Sequence, residues 1–299
     1  MLRPASSLAV ALVAATLLTS CSAPIEGTPV IGPKDVDQSF FFAGDVPVYG
    51  QQLSADDISY LAYLRALRRV DVCGLISTSA NIGELVSVGT LFAFDECDAE
   101  LKVSGVSERR FVSVELEMSA TALSGCQALV PLPLSGLPAA PPLPEWMQPS
   151  VRVEPIGAQD CELTRRIAGA LAQRLASEPL PPRDTAATYP ARLAERDPCE
   201  VLSVVKNVTR WDVPGSVPYQ CKFSTVDVGI EVGLQPQLID AGPAPCSAVS
   251  FVGAPMQRRV IGVGYVDPTD VVIRPAVVVE ADDCQMAADV ATKAAKLYG

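Results

Sequence analysis

The chain of 299 residues contains no histidine. That absence excludes histidine general-base catalysis and histidine-ligated metal sites. Cations are scarce as well. Lys+Arg is 23 against Asp+Glu 34, a formal net charge of −11, and only six of the cations are lysines. Nucleic acid is therefore not expected as a partner, because binding a phosphate backbone needs clustered cations. The glycine-built catalytic signatures are missing too: there is no Gly-x-Ser-x-Gly, no Gly-x-Gly-x-x-Gly and no phosphate-binding P-loop. No Cys-x-x-Cys supports a redox dithiol, and no twelve-residue acidic loop supports calcium. What the chain does have is 49% apolar residues, enough for packed cores rather than disorder, over a length that suits two ordinary domains.

The first twenty residues, MLRPASSLAVALVAATLLTS, carry Arg3 and then an eleven-residue apolar run, Leu8 to Leu18. That run is too short for a permanent span of a bilayer of about 30 Å and fits the apolar region of a secretory signal. Leu18-Thr19-Ser20-Cys21 follows, and it resembles the lipobox of bacterial lipoproteins. The resemblance implies cleavage before Cys21 and diacylation of its thiol, the nucleophile that takes the lipid. Palmitate and related chains on Cys21 would then anchor the protein at the outer face of the cytoplasmic membrane. Two or three acyl chains exceed the roughly one-chain limit of reversible anchoring. Residues 1–20 read as a signal peptide and 21–52 as a lipidated tether, with Pro24, Gly27, Pro29, Gly32 and Pro33 and few periodic apolar residues. Phe40-Phe41-Phe42 is the exception, suited either to the folded part or to the membrane surface.

Eight cysteines remain: Cys73, Cys97, Cys126, Cys161, Cys199, Cys221, Cys246 and Cys284. An even number in an exported chain implies a disulfide framework. Their spacings are 24, 29 and 35, then 38, then 22, 25 and 38, so the two sets of four nearly superimpose. The flanks repeat as well. Asp71-Val72-Cys73-Gly74-Leu75-Ile76 matches Asp197-Pro198-Cys199-Glu200-Val201-Leu202, and residues 112–118 match 226–232 at every second apolar position. Asp160-Cys161 and Asp283-Cys284 each open a helical pattern with Leu163, Ile167 and Ala168 against Met286, Val290 and Ala291. The sequence thus reads as an internal duplication: a first four-cysteine repeat over 53–178, a proline-rich linker over 179–190 and a second four-cysteine repeat over 191–299. Pairing within each repeat is the simplest arrangement. Of the three connectivities per repeat, first-with-second and third-with-fourth is preferred: Cys73–Cys97, Cys126–Cys161, Cys199–Cys221 and Cys246–Cys284.

Within the first repeat, Ser54 and Asp57 form a capping pair ahead of Ile58, Leu61, Leu64 and Leu67, with Arg65, Arg68 and Arg69 at the favourable end of the helix dipole. A short helix is expected over 82–88, a strand region over 89–103 and a strand over 110–120. In that strand Val112, Val114, Leu116 and Met118 would face in, and Ser113, Glu115, Glu117 and Ser119 out. Strands at 128–134 and 150–156 and an Asp160-capped helix to Ala176 complete it. The second repeat reads in broadly the same order, with strands at 219–224, 226–234, 246–252, 259–265 and 271–280 and a helix from Cys284 to Leu297. The fold class is α+β: two similar tandem domains, each an antiparallel sheet with helices on one face, stapled by disulfides.

Chemistry-bearing patterns are few. Ser203-Val204-Val205-Lys206 fits Ser-x-x-Lys, in which a lysine one helical turn away takes the serine proton, but the Ser-Asp-Asn and Lys-Thr-Gly partners are missing. Cys161 and Cys284 at helix N-termini would stabilise thiolates; disulfides are the simpler reading. Asp56-Asp57, Asp95-Glu96 and Asp282-Asp283 read as caps and solvated faces rather than calcium ligands. Trp146 and Trp211 read as packing residues, and Asn207-Val208-Thr209 fits a glycosylation sequon. No catalytic residue, metal or cofactor is expected.

The lipobox, Asp-Pro-Cys-x-x-Leu at 197–202 and the later paired cysteines together resemble a family of actinobacterial cysteine-rich lipoproteins of unknown function. The layout also resembles disulfide-bonded extracellular sensor domains of actinobacterial serine/threonine kinases, at the level of architecture only. The anchor, the tether, two disulfide-stapled domains and the absence of catalytic elements point to a non-enzymatic, membrane-anchored module of the cell envelope that binds an envelope protein or an apolar ligand. A lipid or small-molecule carrier, a Ser-x-x-Lys envelope hydrolase and a purely structural envelope protein are the alternatives.

Overall fold

The computed structural model describes residues 37–76, 82–103, 106, 109–118, 125–157, 160–183, 191–226, 228–240, 242, 244–266 and 272–299. The signal peptide, Cys21, the first half of the tether and residues 184–190 of the linker lie outside the described residues. Among the described residues, two antiparallel sheets, three α-helices and several short 3-10 helices make up the regular structure. Among the described residues no helix is long and apolar enough to cross a membrane.

Helix α1 (Ala55–Arg68) begins as its sequence dictates: the Ser54 hydroxyl accepts from Asp57 N and the Asp57 carboxylate accepts from Ser54 N, both at 3.1 Å. Seven of its residues are buried, from Tyr60 to Leu67. This is wider than a one-sided amphipathic stripe, because the helix is covered from several sides. The Tyr60 hydroxyl donates to Ser216 O at 2.7 Å and the Tyr63 hydroxyl to Pro141 O at 3.0 Å. Phe41 and Phe42 are buried, and the Phe42 ring meets the Tyr63 ring at 5.1 Å, so this part of the aromatic triplet docks on the protein. Phe40 remains 42% exposed.

The first sheet contains β1 (Glu84–Gly89), β2 (Glu96–Lys102), β3 (Arg110–Glu117), β4 (Ala128–Pro131) and β5 (Ser150–Ile156) in the order β1-β2-β3-β5-β4. Alternation sets its two faces. Cys97, Ala99 and Leu101 on β2, Val112, Val114 and Leu116 on β3, and Val151 and Val153 on β5 are all buried on the core side. Helix α2 (Cys161–Ser177), capped by Asp160 on Leu163 N, lies against β4 and β5. The second sheet runs β6-β7-β8-β12-β9, formed by β6 (Arg210–Trp211), β7 (Gln220–Thr225), β8 (Val228–Leu238), β9 (Ser247–Phe251) and β12 (Ile273–Ala281). Helix α3 (Cys284–Tyr298), capped by Asp283 on Met286 N, packs on β9 and β12.

The four disulfides pair as preferred from the sequence: Cys73–Cys97, Cys126–Cys161, Cys199–Cys221 and Cys246–Cys284. In two of them a short 3-10 segment is tied to a strand, Cys73 to β2 and Cys199 to β7. In the other two, Cys126 and Cys246 are tied to the first residues of α2 and α3.

Several local expectations are corrected. Residues 84–89 form strand β1, not a helix. Gly83 has φ +137°, and its backbone passes so close that a Cβ would lie 2.6 Å from the Lys102 carbonyl. Leu85 and Val88 then pair opposite Leu101 and Ala99. The 128–134 strand ends at Pro131, because Pro133 starts a 3-10 turn. Ser113 does lie on the polar face of the first sheet, but it is 1% exposed, its hydroxyl donating to the Glu96 carboxylate. Among the described residues no α-helix opens the second half. Two 3-10 turns, Arg192–Glu195 and Pro198–Ser203, stand there instead, and the β-branched Val204 and Val205 follow. Finally, the single strand expected at 259–265 is a hairpin, β10 (Arg258–Val260) and β11 (Gly264–Val266). It joins the first sheet, not the second, with Ser87 opposite Val260 and Val88 opposite Arg259.

Candidate functional site

The last turn of α1 carries Arg65, Arg68 and Arg69. Spacings of three and four residues put these side chains on one face, and Arg183, from the extended segment after α2, joins them. That segment is held beside α1 by two backbone hydrogen bonds, Arg183 N to Arg69 O at 2.7 Å and Asp71 N to Pro181 O at 2.9 Å, with Leu180 buried beneath. The four arginines line a cleft of about 370 Å³. Phe40 and Pro47 form its apolar lip, and Glu195 and Asp197 its acidic part.

Each arginine also binds the protein. Arg65 donates to the carbonyls of Asp45 and Gly44, each at 2.6 Å. Arg69 gives Nη1 to the carbonyls of Phe40, Phe41 and Ala43, and its Cζ lies 4.9 Å from the Phe40 ring. Arg68 reaches the second half: Nη1 donates to Pro218 O at 3.0 Å and Nη2 lies 3.5 Å from the Asp197 carboxylate. Arg183 donates to Phe94 O at 2.6 Å, Ala194 O at 2.8 Å and the Tyr219 hydroxyl. Burial, and after it the neighbouring Arg68, pulls the pKa of Arg65 down; Arg69 is lowered by burial and then by Arg65 and Arg68. Asp197 is fixed inside the cleft. It caps the Pro198–Ser203 turn by accepting from Cys199 N at 3.0 Å, and it accepts the Tyr49 hydroxyl at 3.0 Å. Burial, followed by the Asp197 charge, pushes the Tyr49 phenol well above its ordinary range.

A second polar concentration lies on the outer face of the first sheet. The register places Glu96, Glu115 and Arg152 in one cross-strand row and Asp98, Ser113 and Glu154 in the next. Arg152 pairs with Glu115 and Glu117, and Arg258 of β10 lies 3.7 Å from Glu100. Asp98 is 5% exposed, and neither of its carboxylate oxygens has a hydrogen-bond partner. Burial, reinforced by Glu96, raises its pKa to about 7. Asp95 is likewise raised to about 7, by burial and then by Glu115.

The other candidates fall elsewhere. Ser203 ends its 3-10 turn and its hydroxyl donates to Glu200 O at 2.7 Å, while Lys206 lies beyond the turn, exposed. Asp57 and Asp283 are caps, and Asp282 accepts from Gly229 N at 3.0 Å. Among the described residues no three acidic, cysteine or histidine side chains are placed to hold a metal ion. Trp211 is buried beside Tyr49, and Trp146 stacks on Tyr60 while staying 54% exposed. Sequence reasoning read Arg65, Arg68 and Arg69 only as dipole partners. Their spacing was visible, but the arrival of Arg183 from 114 positions beyond Arg69 was not.

Compared with protein-family models, curated proteins and solved structures, the chain matches none.

Proposed function

We propose that this chain is an exported lipoprotein, anchored through acylated Cys21 to the outer face of the cytoplasmic membrane, and that it acts as a non-enzymatic binding module of the cell envelope. One observation carries the reading: the eight downstream cysteines pair among themselves, so Cys21 is the single cysteine that the framework does not use. It sits where Leu18-Thr19-Ser20-Cys21 follows a short apolar run. Four disulfides fit an oxidising compartment, which agrees with export. The likeness to actinobacterial cysteine-rich lipoproteins belongs to the same reading.

We infer also that the two four-cysteine regions arose by duplication. Matching cysteine to cysteine pairs β2-β3-β5-β4 with β7-β8-β12-β9, the same order in both sheets. In both, the closing helix lies against the edge strand and its neighbour, β4 and β5 in one half and β9 and β12 in the other, which supports this reading. On this reading the cleft between α1, the linker and the Asp197 turn is a composite site made by the two copies.

Metabolic labelling with an alkyne palmitate analogue tests the anchor. The wild-type chain is expected to take the label and sediment with membranes, and Cys21→Ala to lose both. Labelling that persists in Cys21→Ala overturns the proposal. A fluorescent β-lactam is expected to leave Ser203 unlabelled; acylation there would overturn the non-enzymatic reading.

A further inference from the structure

The four disulfides fall into two classes by burial. Cys73, Cys97, Cys199 and Cys221 belong to the hydrophobic core: Cys97 and Cys221 are fully buried, and Cys73 and Cys199 are no more than 7% exposed. A thiolate in solution cannot reach these sulfurs while the protein stays folded. The other four cysteines lie outside that core. Cys161 and Cys284 are exposed, Cys246 is half-buried and Cys126 is covered. The exposed member is the same in both halves: the fourth cysteine of each set, standing at the first residue of α2 and of α3. These helices have 17 and 15 residues, and their N-terminal dipoles stabilise a thiolate at that position. The flanking charges differ. Asp160 lies 3.8 Å from Arg110 and Glu162 lies 3.5 Å from Arg165, so the carboxylates on either side of Cys161 have cations beside them. Asp282 and Asp283, ahead of Cys284, accept backbone N–H groups from Gly229 and Met286 instead.

We propose that Cys126–Cys161 and Cys246–Cys284 are exchange sites for an external dithiol, while Cys73–Cys97 and Cys199–Cys221 stay closed. A thiolate of the dithiol attacks the exposed sulfur, that of Cys161 or Cys284. The S–S bond breaks, and its electron pair leaves on Cys126 or Cys246. The second thiol of the dithiol then attacks its own sulfur in the mixed disulfide, and the thiolate at the helix N-terminus departs. Two electrons have passed, the dithiol has become a disulfide, and its two protons end on the two released cysteines. Opening frees the first turns of α2 and α3 from the segments that lead into β4 and β9. The Asp160 and Asp283 caps and the two core disulfides still hold each half together. None of this depends on acylation of Cys21.

Graded reduction with dithiothreitol tests it, on the detergent-solubilised full chain treated first with iodoacetamide so that no free Cys21 thiol takes part. Released thiols are trapped with N-ethylmaleimide and mapped by mass spectrometry. Cys126, Cys161, Cys246 and Cys284 are expected to take the label at least about tenfold faster than the core four, which should open only in urea. Amide exchange should then rise in the first turns of α2 and α3, with β2 and β7 still protected. Asp282→Asn keeps an acceptor for Gly229 N but removes one charge that repels an incoming thiolate. It should speed labelling of Cys246 and Cys284 about threefold and leave Cys126 and Cys161 unmoved. Labelling of all eight cysteines together, of the core four first, or of none before the protein unfolds overturns the proposal. So does loss of protection in β2 and β7 when only the outer pairs have opened.

Discussion

Asp98 is a residue whose protonation energetics differ strongly between the folded and unfolded chain. It is forced onto β2 opposite Ser113 and Gly89 by the register, between Glu96 and Glu100, with the Arg258 guanidinium as the nearby cation. Its carboxyl is buried and its oxygens are unpartnered, so the neutral acid is favoured and its pKa rises to about 7. The folded form therefore holds a proton that the unfolded chain releases near pH 4. A raised acid pKa contributes stability that is complete below pH 4 and is lost as the pH climbs through 7. Asp95 contributes in the same direction. Three pKa units correspond to at most about 4 kcal/mol for one such group. Urea midpoints are expected to fall between pH 5 and pH 7.5, and Asp98→Asn, which removes the ionisation, should raise the midpoint at pH 7.5 and flatten the dependence. An unchanged slope in Asp98→Asn would remove Asp98 as the cause.

At the scale of elements, what the sequence made legible is the part governed by local rules. Period-two alternation named the core residues of β3 to the residue, and Asp160 and Asp283 announced α2 and α3, because a cap needs only its own turn. The cysteine spacing carried the disulfide pairing because each bond stays within one half. Strand β1 and the β10–β11 hairpin escaped, since the partner that makes each a strand is remote: β1 depends on β2, and the hairpin on β1, some 170 positions earlier. Gly83 was a signal that could have been used, being the residue that lets the chain enter β1. Two glycines with positive φ separate the contributions. Gly83→Ala adds a Cβ 2.6 Å from the Lys102 carbonyl and strain at φ +137°, whereas Gly157→Ala, at φ +84° with nothing within 4 Å of a Cβ, adds strain alone. Chemical denaturation should give about 1 kcal/mol for Gly157→Ala and clearly more, about 3 kcal/mol, for Gly83→Ala. Equal losses would show that β1 does not meet Lys102 as described.

The whole molecule is held by contacts that ignore the boundary between the two cysteine sets. The hairpin of the second half extends the sheet of the first. Helix α1 reaches Ser216 and Pro218 through Tyr60 and Arg68, and Arg183 ties Phe94 of one half to Ala194 and Tyr219 of the other; the Phe94 and Tyr219 rings meet at 5.4 Å. Disulfides work differently: each closes a loop inside one half, of 22 to 38 residues, and stabilises that half by about 3–4 kcal/mol in the chain-entropy model. The framework alone would therefore favour two independent units, and the packing favours one. The packing should prevail, because separating the halves leaves the edge of β1 unpaired and uncovers Phe94 and Tyr219, both buried. Scanning calorimetry of the oxidised chain is expected to show one transition, with the calorimetric and van't Hoff enthalpies equal. Gly83→Ala, although it lies in the first half, should move that entire transition downward. Two resolved transitions, of which Gly83→Ala shifts only one, would mean that the hairpin and the arginine contacts do not couple the halves.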